Sequence, residues 1–254
     1  METRDFELLI GRNIIEKYRA DRHRPAVFAL AGLEWDLLDE VWPPTYSPGG
    51  ELFAGRIPFD RMSSFLEMGC GTGIMSVLAA RAGVERVLGL DINPAAVRNT
   101  ELNARRHAVA DRVTARESDL YSAVGPDERF DGIYWNPPFL NAPEDSVDTS
   151  IWDETMFDPE YAKLRRFLAE GRELLTPRGK AYLWFGEALG NPALVADLAE
   201  ETGYDLGVLA KTEMAEIPEA LADAFPADLV GGDSEDGEDA AWHLHLLELR
   251  PRQA

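Results

Sequence analysis

Ser64-Phe65-Leu66-Glu67-Met68-Gly69-Cys70-Gly71-Thr72-Gly73-Ile74 decides how this chain is read. A short apolar run that ends in glycines at every second position predicts a buried strand turning sharply into a helix. Glycines at such a turn let the backbone bend tightly and approach a ligand that a Cβ would exclude. In an open α/β sheet that ligand sits beyond the carboxyl ends of the strands. The dinucleotide fingerprint G-x-G-x-x-G is not met, because Ile74 stands where the third glycine belongs. A phosphate-binding P-loop is excluded as well, since no Gly-Lys-Ser/Thr follows.

Working downstream, Arg86–Asp91, Arg112–Glu117, Phe130–Trp135, Lys180–Phe185, Tyr204–Ala210 and Trp242–Leu249 read as further strands. Helices are predicted over Ile74–Ala82, from Pro94 onward, over Tyr161–Leu175 and over Pro192–Glu201, with Thr176-Pro177-Arg178-Gly179 closing the third. Strands alternating with helices predict an α/β fold, a Rossmann-like doubly wound, mostly parallel sheet covered on both faces, spanning residues 61–254. Residues 1–60 read as an N-terminal helical extension. In it Phe6, Leu9, Ile10 and Ile14 recur at helical spacing to about Ala20, and Trp42-Pro43-Pro44-Thr45-Tyr46-Ser47-Pro48-Gly49-Gly50 is too punctuated for regular structure. A short helix is expected from Glu51. The basic stretch Tyr18–Pro25 is either a solvated linker or an arm for an anionic group, and the acidic run Gly231–Asp239 reads as a solvated loop.

The chain has 254 residues, 25 basic against 46 acidic, and a formal net charge of -21. Such a surface repels phosphate backbones and anionic lipid, so nucleic acid is an unfavoured partner and no membrane partner is expected. Cys70 is the only cysteine, which excludes an internal disulfide and a thiolate metal cluster. No apolar run reaches the roughly 20 residues that span a bilayer, and the charged start Met1-Glu2-Thr3-Arg4-Asp5 is unlike a signal peptide. A cytoplasmic protein is expected, and the composition is compatible with a homo-oligomer.

Two acids stand at the ends of the strands after the glycine turn. Asp91, before Ile92-Asn93-Pro94, is placed to accept both hydroxyls of a ribose. Asp119 is placed to accept from an exocyclic amine such as adenine's, with the Leu120 amide facing a ring nitrogen. With Glu67 before the glycines, three acids line three consecutive strand ends. This set resembles the class I S-adenosylmethionine-dependent methyltransferases over roughly Ser63 to Leu249. The resemblance implies a final antiparallel strand, here Trp242–Leu249, and S-adenosyl-L-methionine as cofactor. It also implies that the loop of Gly69, Cys70, Gly71 and Gly73 passes the methionine part, that Glu67 reaches its ammonium group, that Asp91 holds the ribose with Ile92 against adenine, and that Asp119 holds the adenine amine.

A second motif, Tyr134-Trp135-Asn136-Pro137-Pro138-Phe139, ends the fourth strand of that domain. The prolines stiffen the backbone, so that the Asn136 side-chain oxygen and the Pro137 carbonyl form fixed acceptors for the hydrogens of an amine or amide. Holding both hydrogens frees the nitrogen lone pair, while Phe139 can stack on a planar group and favour developing positive charge. An in-line displacement at carbon needs positioning and no nucleophilic residue, metal or strong base. Asn136-Pro137-Pro138-Phe139 resembles the motif of methyltransferases acting on exocyclic or amide nitrogen, among them the release-factor glutamine methyltransferases and bacterial natural-product methyltransferases. Phe139 stands where the glutamine enzymes usually have tyrosine. Val41–Pro48 resembles their proline-rich covering stretch, Tyr46 within it and Asn136 of the second motif are expected among the cofactor contacts, and Gly50 stands where they tend to have threonine. The leading expectation is methylation of a nitrogen on a small molecule, as in secondary metabolism, or on a protein side chain. The alternatives are carbon methylation of an electron-rich aromatic such as an indole, protein glutamine methylation, and a non-catalytic cofactor-binding scaffold. His243 and His245 share a strand face without an evident third metal ligand, His107 reads as a surface residue, and Trp135 and Trp152 read equally as core or as pocket wall.

Overall fold

The computed structural model describes residues 3–21, 24–44, 55–138, 140–148, 150–186, 191–214 and 242–252. Tyr46, Gly50, Phe139, the helix expected from Glu51 and the acidic run 231–239 lie outside the described residues. In chain order the elements are α1 (Thr3–Ala20), β1 (Val27–Leu30), β2 (Leu33–Asp36), β3 (Ser64–Met68), α2 (Ile74–Arg81), β4 (Arg86–Asp91), α3 (Pro94–Arg106), β5 (Val113–Glu117) and β6 (Phe130–Trp135). They continue with α4 (Ile151–Met156), α5 (Ala162–Leu174), β7 (Leu175–Gly186), α6 (Pro192–Glu201), β8 (Tyr204–Met214) and β9 (Trp242–Pro251).

Seven strands form one sheet in the order β5-β4-β3-β6-β7-β9-β8. The first five in that order run parallel, and β9 lies antiparallel between β7 and β8. Both faces are buried, and side chains alternate between them as the strand period of two requires. Phe65, Val87, Tyr134 and Leu246 join the core under α2 and α3, while Leu66, Leu88, Ile133 and Leu247 join the core under α5 and α6. Strand order reverses on either side of β3, so the carboxyl ends of β3, β4 and β6 open onto one crevice.

The N-terminal extension differs from the helical reading. Beyond α1 it contains the β1–β2 hairpin, whose two-residue loop Ala31-Gly32 has positive φ at both residues (53° and 71°), the signature of a type I′ turn. The buried side of α1 comprises Glu7, Ile10, Gly11, Ile14, Ile15 and Tyr18, whereas Leu9 is 45% exposed. A Cβ at Gly11 would come within 2.4 Å of the Phe157 ring, so glycine is what lets α1 lie against the segment that follows Asn136. The turn expected over residues 176–179 is instead an irregularity within β7, where pairing jumps from Phe130–Leu175 to Gly132–Lys180.

Candidate active site

The Gly69–Gly73 turn leaves β3 and enters α2 through three left-handed residues, Gly69, Gly71 and Gly73 (φ 60°, 53° and 77°). At Gly73 the need for glycine is also steric, since a Cβ there would lie 2.8 Å from the Thr100 methyl on α3. At Gly69 it would sit 3.2 Å from Trp135 Nε1, which places the buried Trp135, packed on Phe167, behind the turn as core. Cys70 turns its side chain inward, where its sulfur accepts from the Thr100 hydroxyl at 3.2 Å and a Cβ on Gly89 would meet it at 3.1 Å. Burial pushes its thiol pKa well up, so this cysteine is a close-packed spacer that offers the crevice only its backbone.

Glu67 is buried on β3 and accepts from Ser76 on α2, the amide at 2.7 Å and the hydroxyl at 2.6 Å. Neither donor carries charge, and desolvation raises the carboxyl pKa to about 8. A buried acid in this state favours its neutral form over the charged one. It also has a thermodynamic consequence. The folded pKa lies above that of an exposed glutamate, so the folded chain holds a proton that the unfolded chain releases, and stability falls as pH rises from about 4.5 to 8. The limiting slope for one proton is about 1.4 kcal/mol per pH unit. Melting curves of Glu67→Gln, which mimics the protonated form, are expected to lose this component between pH 6 and 8.5, and parallel pH profiles for the two proteins would refute it.

Asp91 ends β4 with each carboxylate oxygen held by a backbone amide, Gly71 at 2.9 Å and Asn93 at 2.8 Å. Burial still raises its pKa. The acid and the glycine turn are thus one hydrogen-bonded unit. Ile92 beside it is 44% exposed, an apolar side chain turned to solvent at the mouth of the crevice. Asn93 caps α3 by accepting from the Ala95 amide at 2.9 Å, and its Nδ2 donates to the Glu40 carbonyl at 2.7 Å, which brings the segment before Trp42 to this rim. Asp119 is exposed beyond β5 and accepts from Arg166 Nη1 on α5 at 3.1 and 3.2 Å. Leu120 follows in the left-handed region (φ 46°), its carbonyl accepting from the Ser118 hydroxyl at 2.6 Å.

Strand register brings the second motif to the first. Met68 pairs with Trp135, so Gly69 and Asn136 are the next positions on adjacent parallel strands. Asn136 and Pro138 are half-buried and Pro137 is buried. The chain beyond is clamped by α1, where Glu7 accepts from the Asn141 amide and Arg12 donates to the fully buried Asp153 and to the Ser146 carbonyl, both at 2.6 Å. Tyr18 adds contacts to Trp42 and Trp152, with ring centroids at 5.1 and 4.5 Å, and Arg24 from the basic stretch lies over its ring. His107 is half-buried at the end of α3 with its ring 4.6 Å from Trp35 and is no surface residue. No trio of metal-binding side chains gathers among the described residues.

Sequence reasoning passed over the buried face of α3, which bears Asn99, Thr100 and Asn103. A signal was present. That face has no large apolar side chain, so its polar groups had to find buried partners.

The sequence pattern of the methyltransferase small domain family matches residues 45–204. The chain belongs to this family. A Methanocaldococcus jannaschii protein provisionally named protein N5-glutamine methyltransferase is 33% identical over 119 residues, 47% of this chain and 57% of that protein. A Porphyromonas gingivalis tRNA1(Val) (adenine(37)-N6)-methyltransferase is 33% identical over 144 residues, 53% of this chain and 52% of its own. The chain thus spans about half the length of the curated relatives it matches. A T. thermophilus 16S rRNA N2 methyltransferase, solved with AdoMet and guanosine, superposes with a TM-score of 0.53 at 18% identity, covering 90% of this chain and 50% of that one, which speaks to the fold. Among the described residues no helix is long and apolar enough to cross a membrane.

Proposed function

We propose that this methyltransferase small domain protein transfers a methyl group from S-adenosyl-L-methionine to the nitrogen of a planar, conjugated NH2 group, on a protein side chain or a small molecule. The observation that carries the reading is the register that sets Asn136 beside Gly69, at the point where two adjacent strands leave the sheet. The crevice suits the cofactor on its own terms. Glu67 is a buried acid whose Ser76 donors are neutral, Asp91 is fixed by two amides at the rim, and Ile92 offers an exposed apolar wall. Glu67 would face the ammonium group, Asp91 the ribose hydroxyls, Ile92 the adenine ring and Asp119 its amine. When bound, the cofactor supplies an electrophilic methyl on a positively charged sulfur.

The chain's own residues do the positioning. The Asn136 side-chain oxygen and the Pro137 carbonyl accept the two acceptor hydrogens, turning the lone pair toward the methyl. The nitrogen that gains the methyl would release its extra proton to water. Nothing here requires an ionised base, and electrostatic alignment supplies the acceleration. Relatives named for glutamine and for adenine share one chemical feature, an NH2 conjugated with a planar system. The charge of -21 favours the glutamine or small-molecule side over RNA.

Methyl transfer from tritiated cofactor to a glutamine-bearing peptide, an adenine-bearing RNA oligonucleotide, an aromatic amine and an indole separates the classes. Label on peptide or amine nitrogen is the expected result. Label on indole carbon alone would replace the nitrogen reading, and label on RNA alone would overturn the charge argument.

A further inference from the structure

The buried polar face of α3 binds two things at once. Asn99 accepts from the Leu38 amide at 2.7 Å and donates to the Asp36 carbonyl at 2.8 Å, so among the described residues it fastens the end of the hairpin. Asn103, one turn further along, accepts from the Asp36 amide at 2.8 Å and donates to the Asp36 carbonyl at 2.9 Å, and its Nδ2 also reaches the Thr72 carbonyl at 2.9 Å. Both side chains are fully buried. Thr72 lies inside the glycine turn, between Gly71 and Gly73, both in the left-handed region. One amide group thereby ties β2 of the N-terminal extension to the floor of the cofactor crevice.

We propose that Asn103 is a positioning residue for the amino-acid end of the cofactor, holding the Gly71-Thr72-Gly73 turn in place from behind through the Thr72 carbonyl. The inference rests on the cofactor reading above. Its chemistry is simple. A side-chain amide supplies two donors and an acceptor, and here all three are used on backbone groups, the Thr72 carbonyl among them buried. Loss of the Thr72 bond leaves a buried carbonyl unsatisfied and lets the turn relax, at a cost comparable to one buried hydrogen bond. Asn99 provides a matched control, since it is equally buried, serves the same strand and has no bond to the turn.

The test measures Kd by calorimetry for S-adenosylhomocysteine and for 5′-methylthioadenosine, which keeps adenine, ribose and thioether but lacks the amino-acid end. In Asn103→Leu the homocysteine ligand is expected to weaken about tenfold while methylthioadenosine changes less than twofold, so the preference between them collapses. In Asn99→Leu melting temperature falls and the preference stays. Asn103→Ser, which stays polar and falls short of Thr72, serves if the leucine variant does not fold, and the same loss of preference is expected. An unchanged ratio in the folded Asn103 variant, or an equal loss in Asn99→Leu, overturns the proposal. Failure of the unmodified protein to prefer S-adenosylhomocysteine would instead remove the cofactor reading beneath it.

Discussion

Asn136→Ala will leave S-adenosylhomocysteine binding within about threefold while lowering methyl transfer by roughly two to three orders of magnitude, the range seen when a pre-placed polar group facing developing charge is removed. Binding is spared because Glu67 and Asp91 sit on β3 and β4, held by Ser76, Gly71 and Asn93 with no contribution from Asn136. Turnover suffers because alanine keeps the proline-stiffened backbone and deletes one of the two acceptors for the substrate's hydrogens. Asn136→Asp separates position from charge. It keeps an oxygen there and should recover part of the rate, with a further pH dependence from its own carboxyl. If Asn136→Ala retains more than a tenth of the parent rate, the acceptor is not gripped by its hydrogens and carbon methylation becomes the better account.

Asp91→Ala acts at the other partner. A carboxylate meeting both ribose hydroxyls contributes charge-assisted hydrogen bonds of about 1.5–3 kcal/mol each, so affinity for S-adenosylhomocysteine should fall on the order of a hundredfold or more. The loss is compounded because Asp91 also satisfies the Gly71 and Asn93 amides, which alanine leaves without their acceptor. Asp91→Asn retains one acceptor and should bind at an intermediate level. Calorimetry on the three proteins decides the matter, and an affinity in Asp91→Ala within threefold of the parent would end the ribose assignment.

Most of the sheet was legible because its signals are local. β3, β4 and β6 are apolar runs bounded by glycine, asparagine or proline, and Pro192 starts α6 at the first helical position. The glycine turn and its acids were legible for the same reason, being short and one to a strand end. The hairpin was hidden because Ala31-Gly32 is a poor advertisement for a type I′ turn, which Asn-Gly would have signalled. α1 misled in a different way. Its spacing promised an apolar face through Leu9, but tertiary contact chose the face with Glu7 and Gly11, one for its bond to Asn141 and the other for the absence of a side chain against Phe157. The contacts of Asn99 and Asn103 to Asp36 and Leu38 span more than sixty residues, and no local pattern encodes a partner at that distance.

The antiparallel insertion of β9 sets the order in which this molecule can be assembled. β8 is synthesised well before β9, yet it meets the rest of the sheet only through it. A nascent chain can dock five parallel strands as they emerge, but β8 must wait, its ladder open on both sides, until the keystone arrives. Late closure of this kind makes that end of the sheet the natural place for a slow folding phase and for chaperone capture on the ribosome.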